Sequence, residues 1–389
     1  MRVLSISTLF PCPARPQFGI FVANQMKAVA REPAIDLTMI NPIGLPPWPL
    51  SRREPYAALA RTPARTEQDG LAVHHRFFRT IPRFGADSNP RRIAAAVLPE
   101  ARRLHGQAPF DLVDAQFFFP DGPAAAIVAR ALGLPLSIKA RGADIHYWGE
   151  RPRARAQILA AAEQAAGMLA VSQALAADMA AMGMAADRIT VHYTGLDHER
   201  FRPVERSEAR AALSAIPADG PLLVTTGALI ARKGQALVIE ALTRLPGTRL
   251  ALAGAGEDEA RLRELAARLG VAERVHFLGV VRHDALAQLL AAADAMVLPS
   301  VSEGLANAWV EALACGTPLV ISDSGGAREV VGDDSAGRIV ARDPQAIAAA
   351  VAQLLADPPS RQAVAAHAAR FSWERNAATL ADHWHRLVG

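Results

Sequence analysis

With 389 residues the chain is longer than one hydrophobic core usually supports, so two domains are expected. Hydrophobic residues make up 51% of it, yet no apolar run reaches the roughly 18 residues of a bilayer-spanning helix, which points to a soluble or peripheral protein. The net charge of +4 comes without zinc-finger spacing, an RNP-like aromatic pattern or a compact basic helix, so nucleic acid is not an expected partner.

The first segment, residues 2–7, reads as a strand rather than part of a signal peptide, because Pro11 and Pro13 follow before any further apolar region and no cleavage site appears. The loop from Thr8 to Phe21 is rich in proline. It ends at Gly19, ahead of a helix that carries Asn24 and Gln25, where a backbone amide can meet phosphate. Strands are then expected at 36–40, 71–77, 112–115, 136–139 and 168–171, alternating with helices at 20–31, 89–105, 123–132, 153–166 and 173–182. Residues 51–103 hold 11 Arg against 5 acidic residues, including Arg52, Arg53, Arg76, Arg79, Arg83, Arg91 and Arg92. Such a patch attracts anionic lipid headgroups or a diphosphate-bearing acceptor; a solvated, arginine-biased surface is the plain alternative. Asp121 reads as a site residue or as a helix cap. Lys139-Ala-Arg141-Gly142-Ala-Asp144 follows a strand, with His146 either at a site or on the surface.

Near Phe201-Arg-Pro-Val a proline and a polar connector separate the two halves, so the domains are expected at 1–203 and 204–370. In the second half, strands at 222–226, 249–253, 275–278, 294–298 and 319–321 alternate with helices at 235–245, 257–269, 283–292, 304–315 and 344–355. Each half therefore reads as a doubly wound parallel sheet, whose ligands sit beyond the carboxyl ends of the strands. That rule selects three loops. Gly227-Ala-Leu-Ile-Ala-Arg232-Lys233-Gly234 sets two cations at a strand end, where they can grip a diphosphate. Lys233 is one of only three lysines, which favours a point-charge contact. Leu252-Ala-Gly254-Ala-Gly256 lets backbone approach a ligand without a Cβ, although any strand-to-helix turn looks alike. Finally, Glu303 and Glu311 stand eight residues apart across a strand-to-helix junction. If the helix opens at Gly304 and Leu305, Glu311 falls two turns inside it and both carboxylates face one side, as acceptors for vicinal hydroxyls. Acidic residues on a solvated helix face are the alternative. Only Cys12 and Cys315 occur, which gives no disulfide framework and no metal-ligand spacing, and fits a reducing cytoplasm.

Glu303, Gly304, Asn307, Glu311, Ala312, Ala314, Gly316 and Pro318, followed by Gly325, Gly326 and Glu329, closely resemble the signature of retaining glycosyltransferases of family 4 (group 1). Arg232 and Lys233 match that family's G-x-L-x-x-x-K-G string. The resemblance implies the α/β GT-B fold, two Rossmann-like domains facing a cleft, with residues 371–389 crossing back onto the first. It implies Arg232, Lys233 and Glu303 as catalytic residues, the cations neutralising the diphosphate and Glu303 holding sugar hydroxyls. Gly19, Arg141, Gly227, Gly254, Gly256, Gly304, Leu305, Ala306, Asn307 and Glu311 would bind substrate, Glu311 through the ribose diol. Arg141 stands where many relatives have histidine.

The expected function is hexosyl transfer with retention from a UDP- or GDP-linked sugar to an acceptor hydroxyl, with domain closure excluding water. The acceptor would be a glycan or lipid-linked glycan of a polysaccharide pathway. No metal or other cofactor is expected, since no Asp-x-Asp motif appears. The location would be cytoplasmic, with peripheral membrane contact through residues 51–103. A sugar-nucleotide epimerase of the same fold and a non-catalytic sugar-nucleotide sensor are the alternatives.

Overall fold

The structure, a computed structural model, describes residues 1–81, 85–213 and 216–389. Arg83 of the arginine-rich stretch lies outside the described residues. The chain forms two compact units: Met1–Gly195 with Trp373–Gly389, and Leu196–Ser372.

Unit 1 is built on an eight-stranded sheet. In chain order its strands are β1 Arg2–Ile6, β2 Asp36–Leu45, β3 Arg65–Gln68, β4 Leu71–Arg79, β5 Leu112–Ala115, β6 Leu136–Ala140, β7 Gly167–Ala170 and β8 Ile189–Val191. They lie in the order β3-β4-β2-β1-β5-β6-β7-β8. The central strands are short apolar runs buried on both faces, which is the pattern of a parallel sheet covered by helices on each side. β3 is antiparallel to β4 and was not expected, because Arg-Thr-Glu-Gln carries no apolar face. Its turn is an Asp-Gly pair with φ of 50° at Asp69 and 83° at Gly70, the backbone that a two-residue hairpin needs. β8, three residues long, was likewise unforeseen.

The helix Trp373–Val388 completes this unit. Ala377, Leu380, Ala381 and Trp384 recur at helical spacing and pack with Val22, Met26 and Val29 of the helix Ile20–Val29, and with Val3, Leu37 and Met39 of the sheet. The Trp384 indole is fully buried and donates to Asp114 Oδ1 at 3.1 Å.

Unit 2 carries β9 Leu222–Thr226, β10 Arg249–Ala253, β11 Val275–Gly279, β12 Ala295–Leu298, β13 Leu319–Ser322 and β14 Gly337–Val340. Their order is β11-β10-β9-β12-β13-β14, and every pairing is parallel. Counted from β9, this is the doubly wound order 3-2-1-4-5-6, which reverses between β9 and β12. Its core joins Leu223, Leu250, Leu252, Val297 and Val320 of the sheet to Val238, Ile239, Leu262, Ile347 and Val351 of the covering helices. No helix among the described residues is long and apolar enough to cross a membrane.

Trp384 fills a site that a smaller side chain leaves empty. Trp384→Ala is expected to cost about 3–5 kcal/mol of stability, read by urea denaturation followed through circular dichroism. An unchanged midpoint would mean that the last helix does not hold unit 1 closed.

Candidate functional site

At the point where strand order reverses in unit 2, the loops after β9 and β12 meet. A single helical turn, Ala231–Lys233, follows β9 and points both cations toward Glu303. Lys233 Nζ lies 2.5 Å from Glu303 Oε1 and Arg232 Nη1 lies 3.8 Å from the same oxygen. The side chains of Lys233 and Glu303 are only 14% and 9% exposed, against 37% for Arg232. Arg232 also donates to the Ser302 carbonyl, and its own carbonyl accepts from the Val301 amide at 2.8 Å, so the two loops are stitched together.

The helix expected from Gly304 instead begins at Asn307 and runs to Ala314. Ala306, at φ −70° and ψ 121°, is extended, and no side chain caps the helix start. Glu311 therefore lies one turn inside, not two, and the helical-wheel argument relating it to Glu303 does not hold. What remains is an irregular strip, Gly304–Ala306, bent at Gly304 and extended at Ala306, running into uncapped helix amides beside the Lys233–Glu303 pair, an arrangement suited to an anion.

Backbone packing fixes this strip. Gly325 has φ 50°, and a Cβ there would lie 2.1 Å from the Glu303 carbonyl oxygen, while the Gly326 amide donates to Gly304 O at 2.8 Å. The loops after β9 and β10 are joined in the same way. A Cβ on Gly254 would fall 1.8 Å from Gly227 O, and one on Gly256 would fall 2.2 Å from Leu229 O. These glycines thus bring loop backbones together, which explains their presence without a ligand. Gly227 itself faces the Lys233 stem, its would-be Cβ 3.6 Å from Cε.

Glu311 is partly exposed, and no donor among the described residues reaches its carboxylate. Burial pushes its carboxyl up to about 7. One turn on, burial pushes the Cys315 thiol up to about 12. Thr226 Oγ1, Ser300 Oγ and Ser324 Oγ, at the ends of β9, β12 and β13, are also buried without hydrogen-bond partners. Polar groups left unpaired in this way are costly and call for a partner, ordered water or a ligand. Among the described residues no three His, Cys, Asp or Glu side chains are grouped as metal ligands.

Gly19 and Arg141 belong to unit 1. Gly19, at φ 70°, precedes the helix Ile20–Val29, and a Cβ there would strike the Leu9 carbonyl at 2.4 Å. Arg141 donates to Gln116 O at 2.7 Å, to Gln116 Oε1 at 2.8 Å and to Gln25 Oε1 at 3.3 Å, and it lies over the Phe21 ring. Burial lowers its guanidinium to about 10. Beside it is a fully buried lysine whose role the sequence did not disclose. Lys139 donates to Gln25 Oε1 at 2.7 Å and meets His192 Nδ1 at 2.9 Å. His192 Nε2 faces the Asn376 carbonyl at 2.9 Å and must carry the ring proton, so Nδ1 accepts from Lys139. Burial drives both Lys139 and His192 well below their ordinary values. Asp121 does not cap its helix. It accepts from the Thr8 amide at 2.8 Å, and burial raises its carboxyl to about 7. Asp144 accepts from the amides of Phe118, Arg141 and Gly142, and His146 pairs with Asp178 at 2.9 Å.

Two family models match the chain: "Glycosyl transferases group 1" over residues 207–371 and "Glycosyltransferase Family 4" over residues 52–200. The chain is 37% identical over 214 residues to D-inositol 3-phosphate glycosyltransferase of Mycobacterium marinum, covering 52% of this chain and 46% of that one. With the Mycobacterium bovis enzyme of the same name the identity is 38%, over 52% and 44%. The chain thus spans about half the length of these relatives. Among solved structures, sucrose-phosphate synthase from Thermosynechococcus elongatus superposes with a TM-score of 0.80 at 21% identity, covering 100% of this chain and 99% of that one. Anabaena HepE in complex with UDP and glucose gives 0.75 at 21% identity, over 98% of each. These likenesses, with the two parallel sheets, show the GT-B fold.

Glu311 binds its proton more tightly folded than unfolded. Its contribution thus favours the folded state below the ordinary value of 4.5 and is lost as pH rises through about 7. Glu311→Gln, uncharged throughout, is expected to stabilise the ligand-free protein by about 1–3 kcal/mol at pH 8 and to lose most of that advantage by pH 5, as followed by thermal melting at both pH values.

Proposed function

The chain belongs to glycosyltransferase family 4, its two models matching residues 52–200 and 207–371, and from that premise we propose that it transfers a hexose from a nucleoside-diphosphate sugar to an acceptor hydroxyl with retention. The observation that carries this reading is the convergence of Arg232 and Lys233 on the buried Glu303 where strand order reverses. Cations for a diphosphate and an acceptor-only group for hydroxyls are what such a donor needs, and the unpartnered Glu311 is free to accept from a ribose diol. The complexes of HepE with UDP and with UDP-glucose favour a UDP-linked donor; a GDP-linked one suits the same chemistry.

As the bond between the anomeric carbon and the phosphate oxygen lengthens, negative charge gathers on the diphosphate. Arg232, Lys233 and the amides of residues 304–307 stabilise it, and no metal is assigned to that task. The acceptor oxygen attacks from the face the diphosphate is leaving and gives its proton to the departing phosphate, so the configuration is kept. The name of the mycobacterial relatives favours a phosphate-bearing or otherwise anionic acceptor; a glycan or lipid-linked glycan acceptor in polysaccharide synthesis rests on the family resemblance.

Membrane contact belongs to the same reading. Glu100 engages Arg76 and Arg103 and is held down to about 2, chiefly by its hydrogen bond from Arg103, so part of the arginine-rich stretch is paired with a buried carboxylate. Arg52, Arg53 and Arg79 remain exposed. So are Trp48 at 73%, Leu50 at 43%, Phe77 at 39% and Ile81 at 45%, on segments that leave β2 and β4 side by side. Exposed aromatic and aliphatic tips among arginines suit an anionic bilayer surface at the cytoplasmic face.

Lys233→Ala and Glu311→Ala are expected to remain folded and to lose at least about a hundredfold in transfer, measured with a panel of sugar nucleotides and glycan acceptors. Full turnover by both variants rejects the assignment; conversion of a donor with no acceptor present points to an epimerase instead. For the membrane contact, co-sedimentation with phosphatidylglycerol vesicles should fall as salt rises and should drop in Trp48→Ser/Leu50→Ser. Absent or salt-insensitive sedimentation removes that part of the reading.

A further inference from the structure

The Lys233–Glu303 pair places an obstacle in the path of any diphosphate. Lys233 Nζ is held by Glu303 Oε1 at 2.5 Å, and both side chains are shielded from water. A phosphate that recruits Lys233 competes with the carboxylate for the ammonium. The Glu303 main chain is clamped by Gly325 and by the bond from Gly326 N to Gly304 O, so only its side chain can adjust. Arg232 compensates only in part, because its Nη1 stands 3.8 Å from Glu303 Oε1, against 2.5 Å for Lys233, and is engaged by the Ser302 carbonyl. A buried carboxylate stripped of its cation is strongly unfavourable unless other donors reach it. Sugar hydroxyls are such donors. A spent nucleotide brings only its ribose hydroxyls, which the donor reading assigns to Glu311.

We propose that Glu303 and the nucleotide diphosphate compete for Lys233, and that this competition makes the pocket hold a sugar-bearing nucleotide in preference to the spent nucleotide. The inference rests on the donor reading above and adds selectivity to it. While the sugar is present its hydroxyls satisfy Glu303 and the diphosphate keeps Lys233. Once the sugar has gone to the acceptor, the carboxylate reclaims the ammonium and the nucleoside diphosphate is displaced. Glu303 is then both the sugar's partner and the group that clears the site after turnover.

The test is isothermal titration of wild type, Glu303→Gln, Lys233→Met and the double variant with UDP, GDP and ADP, each free and as its glucose conjugate. Glu303→Gln is expected to bind the free nucleotide at least tenfold more tightly than wild type and to lose the wild-type preference for the glucose conjugate. In the Lys233→Met background the substitution should bring no such gain, since there is no ammonium to compete for. Glu303→Ala should behave as Glu303→Gln does, and circular dichroism verifies the fold of each variant. Unchanged or weaker binding of free nucleotide by both Glu303 variants overturns the inference alone. So does a gain that persists without Lys233, because it would reflect only the loss of a nearby negative charge. Failure of wild type to bind any of the six compounds overturns the donor reading and this inference with it.

Discussion

An ammonium and a carboxylate 2.5 Å apart, both mostly withdrawn from water, set the electrostatics of unit 2. A pair that deep is tolerable only while each charge sees the other, so everything that positions the two loops also serves the pair. Main chain does much of the positioning. The Arg232 side chain donates to the Ser302 carbonyl, the Arg232 carbonyl accepts from the Val301 amide, and Gly325 lies against the Glu303 carbonyl where no other residue fits. The chemistry therefore sits on main chain that side-chain repacking elsewhere in the core leaves in place.

Both units leave some buried polar atoms unpaired, among them Thr62 Oγ1, Asp121 Oδ1 and Asn376 Oδ1 in unit 1, but they differ in how those near the site are arranged. In unit 1, Ser5, Asp114, Gln116, Gln25, Lys139, His192 and Arg141 form one chain of hydrogen bonds in which nearly every donor and acceptor is used. Trp384 feeds into it through Asp114, so the network is tied to the packing of the last helix. Such a network fixes a unique arrangement and leaves little for a ligand to satisfy. Unit 2 leaves the hydroxyls of Thr226, Ser300 and Ser324 without partners at the ends of its strands, with Glu311 on the helix Asn307–Ala314 beyond them. These groups give a ligand or ordered water at that end of the sheet something to satisfy.

Much of this was legible in the sequence for a simple reason: parallel strands buried on both faces are continuous apolar runs, and the helices between them have their own period. Strands such as Arg2–Ile6, Leu222–Thr226 and Arg249–Ala253 accordingly stand where the pattern put them. What escaped was short or polar. β3 presents no apolar face, and its Asp-Gly turn was the one available signal. The start of the helix at Asn307 was misplaced because Leu305 and Ala306 suit a helix as well as an extended strip; tertiary contact with Gly325 and Gly326 decides between them. Arg232, Lys233 and Glu303 could be singled out by residue type and loop, but not the direct bond between lysine and carboxylate. That distance depends on how two loops seventy residues apart fold onto each other. The buried role of Lys139 was hidden likewise, since its partners, Gln25 and His192, come from two other segments.

Unit 1 is not continuous in the chain. Its core includes Ala377, Leu380, Ala381 and Trp384, which a ribosome adds only after all of unit 2 has been made. Unit 2 can thus fold on the nascent chain as soon as it emerges, whereas the sheet built first must wait with an apolar groove beside the helix Ile20–Val29. During that interval the first-made half of the protein is the part most in need of a chaperone. Emergence of the helix Trp373–Val388, rather than of the first 195 residues, then becomes the moment at which it matures.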